Sequence, residues 1–193
     1  KTSNKSTGVI PDLKMYQLQV YINNKKFTNS TSLTEGDTIR LNNINYIIHK
    51  VPGDGDCFYH SIIEATKKKE LNPGIQEDIT APELRLRLIN QLESFKTGNI
   101  PQVCNRWMML FREDIDPIIN RITAGIGDPS TPSGYGGTIE LLLIECMYGI
   151  NVRVITPNGF QMNDILDNYN VVTLFLNPSA RHYDWLEQVE NAT

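Results

Sequence analysis

The chain has 193 residues, enough for one well-buried core and short for two, and its 18 basic against 22 acidic residues give a formal charge of −4. Phosphate binding depends on clustered Lys and Arg, so this balance argues against a nucleic-acid surface; Lys25-Lys26 and Lys67-Lys68-Lys69 read as solvated turn and helix-end runs. No stretch approaches the roughly 18 apolar residues of a membrane helix, the first residues lack the apolar core of a signal peptide, and a start at Lys1 suggests a piece of a longer chain. Residues 1–12 are polar and rich in Ser, Thr, Lys and Asn, and read as a flexible leader; residues 13–193 read as a single domain. Its N-terminal part, 13–50, is β-rich. Tyr16, Leu18, Val20 and Ile22 fall two apart before an Asn23-Asn24 turn, and Thr38 to Leu41 and Tyr46 to Ile48 repeat the pattern around Asn42-Asn43.

Ile47 to Val51 leads straight into Gly53-Asp54-Gly55-Asp56, after which a helix is predicted from Cys57 to about Lys68. Thr80-Ala81-Pro82-Glu83 resembles a capping box with an early proline, followed by Leu84, Leu88, Leu92 and Phe95 at helical spacing. Val103 to Phe111 and Ile115 to Ile126 are helix-like. Asp128 to Gly134 is a loop, and Thr138 caps a helix over Ile139 to Tyr148 that Gly149 can end. The β pattern then returns in Val152 to Ile155, Val171 to Leu176 and His182 to Val189. Helices in the middle flanked by strands predict an α+β domain whose helices cover a mostly antiparallel sheet.

Cys57, Cys104 and Cys146 form an odd set without CxxC spacing, so neither a disulfide framework nor a zinc knuckle is indicated, and a reducing, cytosolic setting fits. No cofactor is called for. Gly53 and Gly55 permit positive φ and close backbone approach, and successive amides in such a turn form a nest for an anion beside the Cys57 thiol. A thiol becomes a strong nucleophile as thiolate, which a helix N-terminus and a nearby imidazolium both favour. Three imidazoles are available: His49, His60 and His182. His60 lies three residues after Cys57 and would crowd the substrate side, and His49 reads as structural. His182 opens a strand, and Asp184, two residues on, shares its face, so a carboxylate stands beside the imidazole.

The run Asp54-Gly55-Asp56-Cys57-Phe58-Tyr59-His60-Ser61, the segment Tyr135-Gly136-Gly137-Thr138-Ile139-Glu140-Leu141 and the trio His182-Tyr183-Asp184 occur in that order, and together they resemble the ovarian tumour (OTU) family of cysteine deubiquitinases. Asp56 stands where Asn is commoner in that family and His60 where Arg is commoner. The resemblance implies a papain-like OTU fold with residues 13–50 as an N-terminal accessory segment. It implies Cys57 as nucleophile, His182 as base and Asp184 as orienter, with Asp54 as a further member of the catalytic set. Gly55, Asp56 and Tyr183 are the expected lining of the oxyanion hole and substrate channel, and Asp56 and Glu140 are possible acidic contributors on the substrate's approach. The implied activity is hydrolysis of the isopeptide bond after the Gly-Gly end of ubiquitin. The implied partners are ubiquitin or polyubiquitin chains, with ubiquitin-like modifiers in the same class. Two other readings compete: a ubiquitin-binding module of the same fold with little turnover, motivated by Asp56 and His60, and a papain-like protease acting on peptides or a viral polyprotein. The Asn, Ile and Lys richness hints at an AT-biased genome and a pathogen or endosymbiont protein delivered into a host cell.

Overall fold

The computed structural model describes residues 15–17, 20–26, 32–70, 75, 78–102, 104, 115–131, 134–157, 160–162, 170–177 and 180–190. The expected leader and the helix expected at Val103 to Phe111 lie outside these residues, apart from Cys104. Nine strands and four longer helices are found among them. The strands are β1 (Met15–Gln17), β2 (Val20–Ile22), β3 (Lys25–Lys26), β4 (Thr38–Leu41), β5 (Ile44–His49), β6 (Ile150–Ile155), β7 (Phe160–Met162), β8 (Asn170–Asn177) and β9 (His182–Val189). The helices are α1 (Cys57–Lys69), α2 (Ala81–Lys96), α3 (Ile115–Gly127) and α4 (Thr138–Tyr148). Thr80 caps α2 through the Glu83 amide while the Glu83 carboxylate accepts from the Thr80 amide, completing the capping box legible in the sequence. At α4 the helix starts at Thr138 and Gly137 is the cap residue. The Gly137 amide donates to Glu140 Oε2 at 2.9 Å, so the carboxylate satisfies an otherwise orphaned donor.

The strands form one mixed sheet in the order β1-β7-β6-β8-β9-β5-β4-β2-β3. β6 and β8 run parallel, and the other pairings are antiparallel. Only two residues separate Gln17 from Val20, so chain length holds β1 and β2 within about 11 Å although pairing places them toward opposite ends of the order. The sheet is therefore rolled upon itself. Its concave face buries Val20, Ile22, Ile39, Leu41, Tyr46, Ile48, Ile155, Phe175 and Leu186. Arg153 on β6 donates to the Tyr46 hydroxyl on β5 at 2.9 Å, spanning strands three places apart that would lie about 14 Å from each other in a flat sheet.

Alternation sends the other side chains of the same strands outward. Val152, Val154, Val172, Leu174, Tyr183 and Trp185 face the helices and join Phe58, Ile62, Leu84, Leu88, Ile122 and Leu142 in the larger core. Residues 20–22 and 38–49 thus belong to the main sheet through β5, which pairs with β9 from Asn45↔Val189 to His49↔Trp185. That register sets the end of β5 beside the start of β9.

The odd cysteine count, which indicated no disulfide framework, nevertheless conceals one pair. Cys104 and Cys146 form a disulfide, both buried, across 42 residues of sequence, leaving Cys57 as the free cysteine. Spacing rules for cysteine recognise clustered ligand pairs and cannot register two distant residues that the packing brings together. Alkylation of the denatured, unreduced protein is expected to modify one cysteine, Cys57, and reduction beforehand to expose all three; peptide mass mapping reads the difference.

Candidate active site

The turn after β5 places Cys57 as the first residue of α1, at the positive end of the helix dipole. Gly55 adopts φ +88°, and its Cα lies so close to the Pro129 carbonyl that a side chain has no room there. Below the turn, the Asp56 carboxylate is buried and faces inward. Arg85 from α2, fully buried, donates through Nε to Asp56 Oδ1 at 2.7 Å, and also bonds the carbonyls of Ile122 and Gly55. The guanidinium lies over the Tyr59 ring at 4.2 Å, and Gly125 of α3 leaves it space that a methyl group would fill.

The sequence-based placement of Asp56 in the substrate channel is therefore corrected for its side chain: it points into the core, where Arg85 matches its charge. Glu140 is likewise almost fully buried. It bonds Arg121 and the Gly137 amide, which removes it from any substrate approach.

β9 supplies the histidine. Arg181, at φ +48°, turns the chain into the strand, and His182 Nε2 bonds Asp184 Oδ1 at 2.8 Å, while the Cys57 sulfur acts on the ring from the start of α1. Its Nδ1 lies against Gly53. The two-residue spacing of an extended strand is what puts imidazole and carboxylate on one side. The Tyr183 amide donates to Cys57 Sγ at 3.4 Å, and its ring is buried against Phe58. α1 is held on β9 by Ser61 Oγ to the Tyr183 carbonyl and by Trp185 Nε1 to Glu64 at 2.9 Å. Sulfur and imidazole thus come from elements cross-linked at three levels along their length.

Asp184 is nearly inaccessible and accepts three further or shared contacts: His182, the Val51 amide at 3.0 Å and Lys50 Nζ at 2.6 Å. Burial alone would raise its pKa; the bonds from His182, Lys50 and the Val51 amide overcome this and hold it below the ordinary value. The His182 pKa is raised from 6.5 to about 9, chiefly by the bond to Asp184, then by the interaction with Cys57, against a smaller desolvation effect.

Asp54 stands apart from this group. It accepts from the Asp56 amide at 3.0 Å and pairs with His60 Nε2 at 3.1 Å, and these bonds outweigh burial to lower its pKa. Asp54, Asp56 and His60 have ligand-type atoms within 4.8 Å of one another, but Asp56 is engaged by Arg85 and Asp54 by His60. His49 stacks on Trp185 and bonds Glu187 and Glu35, away from the sulfur.

Sequence reasoning missed Lys50, the Val51 amide and Arg85. Arg85 left a signal, since it sits on the face shared by Ala81, Leu84, Leu88 and Leu92, and a lone cation on an apolar stripe calls for a buried partner. Lys50 left none, because one lysine at a strand end has no pattern.

No family model and no curated protein matches the chain. Among solved structures, it is similar to the OTU domain of OTUD1 at 14% identity and TM-score 0.49, covering 74% of this chain and 85% of that one. It is similar to the Hazara virus OTU bound to ubiquitin at 16% identity and TM-score 0.43, covering 76% and 83%. The viral OTU domain protease from Qalyub virus follows at 11% identity and TM-score 0.46, covering 88% and 99%. At these identities and scores the likeness carries nothing about what this chain acts on.

Removing Arg85 leaves the Asp56 carboxylate buried without a counter-charge. Arg85→Met is expected to cost about 3–5 kcal/mol in urea unfolding, and adding Asp56→Asn to recover much of that loss. Because the folded His182 pKa lies above its ordinary value, its protonated form contributes stability that is complete below pH 6.5 and disappears as pH rises through about 9. Urea unfolding across that window should show the decline in the parent protein and a flatter curve in His182→Gln.

Proposed function

We propose that this chain is a cysteine isopeptidase that hydrolyses the bond after the C-terminal Gly-Gly of ubiquitin. The observation that carries the catalytic part is the line Cys57, His182, Asp184, with the sulfur at a helix N-terminus and the imidazole bonded to a buried carboxylate. The substrate class rests on the resemblance of the three sequence segments to the OTU family.

In this reading the Cys57 thiolate attacks the scissile carbonyl, forming a C–S bond and an oxyanion. The oxyanion lies against the turn from Gly55 to Cys57, whose Asp56 amide is already taken by Asp54, so the Cys57 amide is the donor that remains oriented by the helix start. His182 then gives its proton to the departing lysine amine as the C–N bond breaks. Water next enters, gives a proton back to His182 and attacks the thioester, and cleavage of the C–S bond frees the carboxylate and restores the thiolate. Asp184 keeps the ring oriented and stabilises its charged form through both steps.

The reading of a binding module with little turnover drew on Asp56 and His60, and His60 is engaged by Asp54. With Arg85 paired to the Asp56 carboxylate, no observation favours it over the enzyme. Cys57→Ala is expected to abolish turnover and leave the fold intact, His182→Ala to come close to that, and Asp184→Ala to retain more activity. A ubiquitin probe bearing a C-terminal electrophile should form an adduct at Cys57. Folded protein that gives no adduct, or that cleaves unrelated peptides without preference for ubiquitin, overturns the proposal.

A further inference from the structure

Asp184 is bound on two sides. One oxygen serves His182 and the Val51 amide, and the other faces Lys50 Nζ at 2.6 Å. Lys50 and Val51 are the two residues that follow β5, and the Lys50 amide is fixed in turn by Glu35 Oε2 at 3.0 Å. The N-terminal strands therefore deliver a cation and an amide to the carboxylate behind the imidazole. The Lys50 side chain is about one-third exposed, at 35%, whereas that of Asp184 is 4% exposed, so the ammonium closes the solvent side of a buried acid.

Resting on the proposed nucleophile and base, we infer that Lys50 is a positioning residue of this site: it pins Asp184 and restrains, by its charge, how strongly that carboxylate holds the His182 proton. A carboxylate facing only the imidazole draws its full field onto the ring, while a cation on the opposite oxygen offsets part of it. The imidazolium must give up its proton to the leaving group, so an over-stabilised ring is a poor acid. Lys50 sets this balance from outside the reacting atoms.

The ionisable groups that act on the pair are Cys57 from α1 and Lys50 from the end of β5. Asp54 is bonded to His60, Asp56 is paired with Arg85, Glu187 bonds His49, and Glu35 bonds His49 and the Lys50 backbone amide. Among the described residues, Lys50 is the cation other than His182 itself that contacts Asp184, which distinguishes it from these.

The test uses proton NMR titration of the His182 imidazole, which needs no substrate, beside the pH dependence of Cys57 alkylation and single-turnover cleavage of a ubiquitin substrate. Lys50→Met and Lys50→Gln are expected to raise the His182 midpoint by about half a unit or more, and to move the alkylation profile to higher pH. Single-turnover cleavage at neutral pH should fall about tenfold with KM little changed. Lys50→Arg should restore the midpoint, the profile and the rate. An unchanged His182 midpoint in a folded Lys50→Gln protein, or an equal effect of Lys50→Arg, overturns the inference. Absence of ubiquitin cleavage in the parent protein, with the titration shift still present, overturns the functional reading and leaves the role of Lys50 standing.

Discussion

The turn that presents Cys57 is held from below by a buried ion pair. Arg85 is sealed within the core, bonded to the Asp56 carboxylate and to two carbonyls and laid across the Tyr59 ring, so it joins α2, α3 and the approach to α1 at one point. A buried pair of this kind gives little net stability compared with apolar packing, because desolvating both charges offsets their attraction. What it does give is direction: a guanidinium has a fixed fork of donors, and the chain around Asp56 must adopt the conformation that meets it. The small residue Gly125 and the close contact of Gly55 with Pro129 are conditions of the same arrangement, since each leaves the space this packing needs.

A second constraint acts from above. β5 and β9 are neighbours in register, and the end of β5 runs past Asp184 just as β9 begins. Segments separated by more than a hundred residues thereby share one carboxylate, and the N-terminal strands become part of the site's support. Cross-links from Ser61 and from Trp185 to Glu64 then fix the distance between α1 and β9. The position of the imidazole relative to the sulfur follows from sheet pairing and helix packing together.

Much of this was open to a reader of the sequence because it depends on local periodicity. The capping box at Thr80, the glycine turn before Cys57 and the two-residue spacing of His182 and Asp184 are each short-range patterns with one geometric meaning. Tertiary partners behaved differently. Asp56 looked like an acid beside the sulfur because nothing near it in sequence offers a cation, and Glu140 looked available to substrate because its partner Arg121 lies on another helix. The bond between Cys104 and Cys146, and the contact of Lys50 with Asp184, join residues far apart in the chain and leave no trace in spacing. The strands of residues 13–50 were readable as strands, but their place in the main sheet was not, because pairing is set by register with β9 rather than by any motif.

The rolled sheet also governs how a peptide can be received. An open sheet exposes a row of unpaired backbone groups onto which an extended chain can zip as one more strand. Here Met15–Gln17 pair with β7 and Val20–Ile22 with β4, and the two terminal strands of the order are short: β1 has three residues and β3 is two exposed lysines. Among the described residues, backbone templating therefore finds only short edges. On the proposed function, a tail entering beside Cys57 would meet the glycine turn and the ends of helices and loops rather than a long sheet edge, so selectivity would reside in parts that can diverge without disturbing the barrel-like frame.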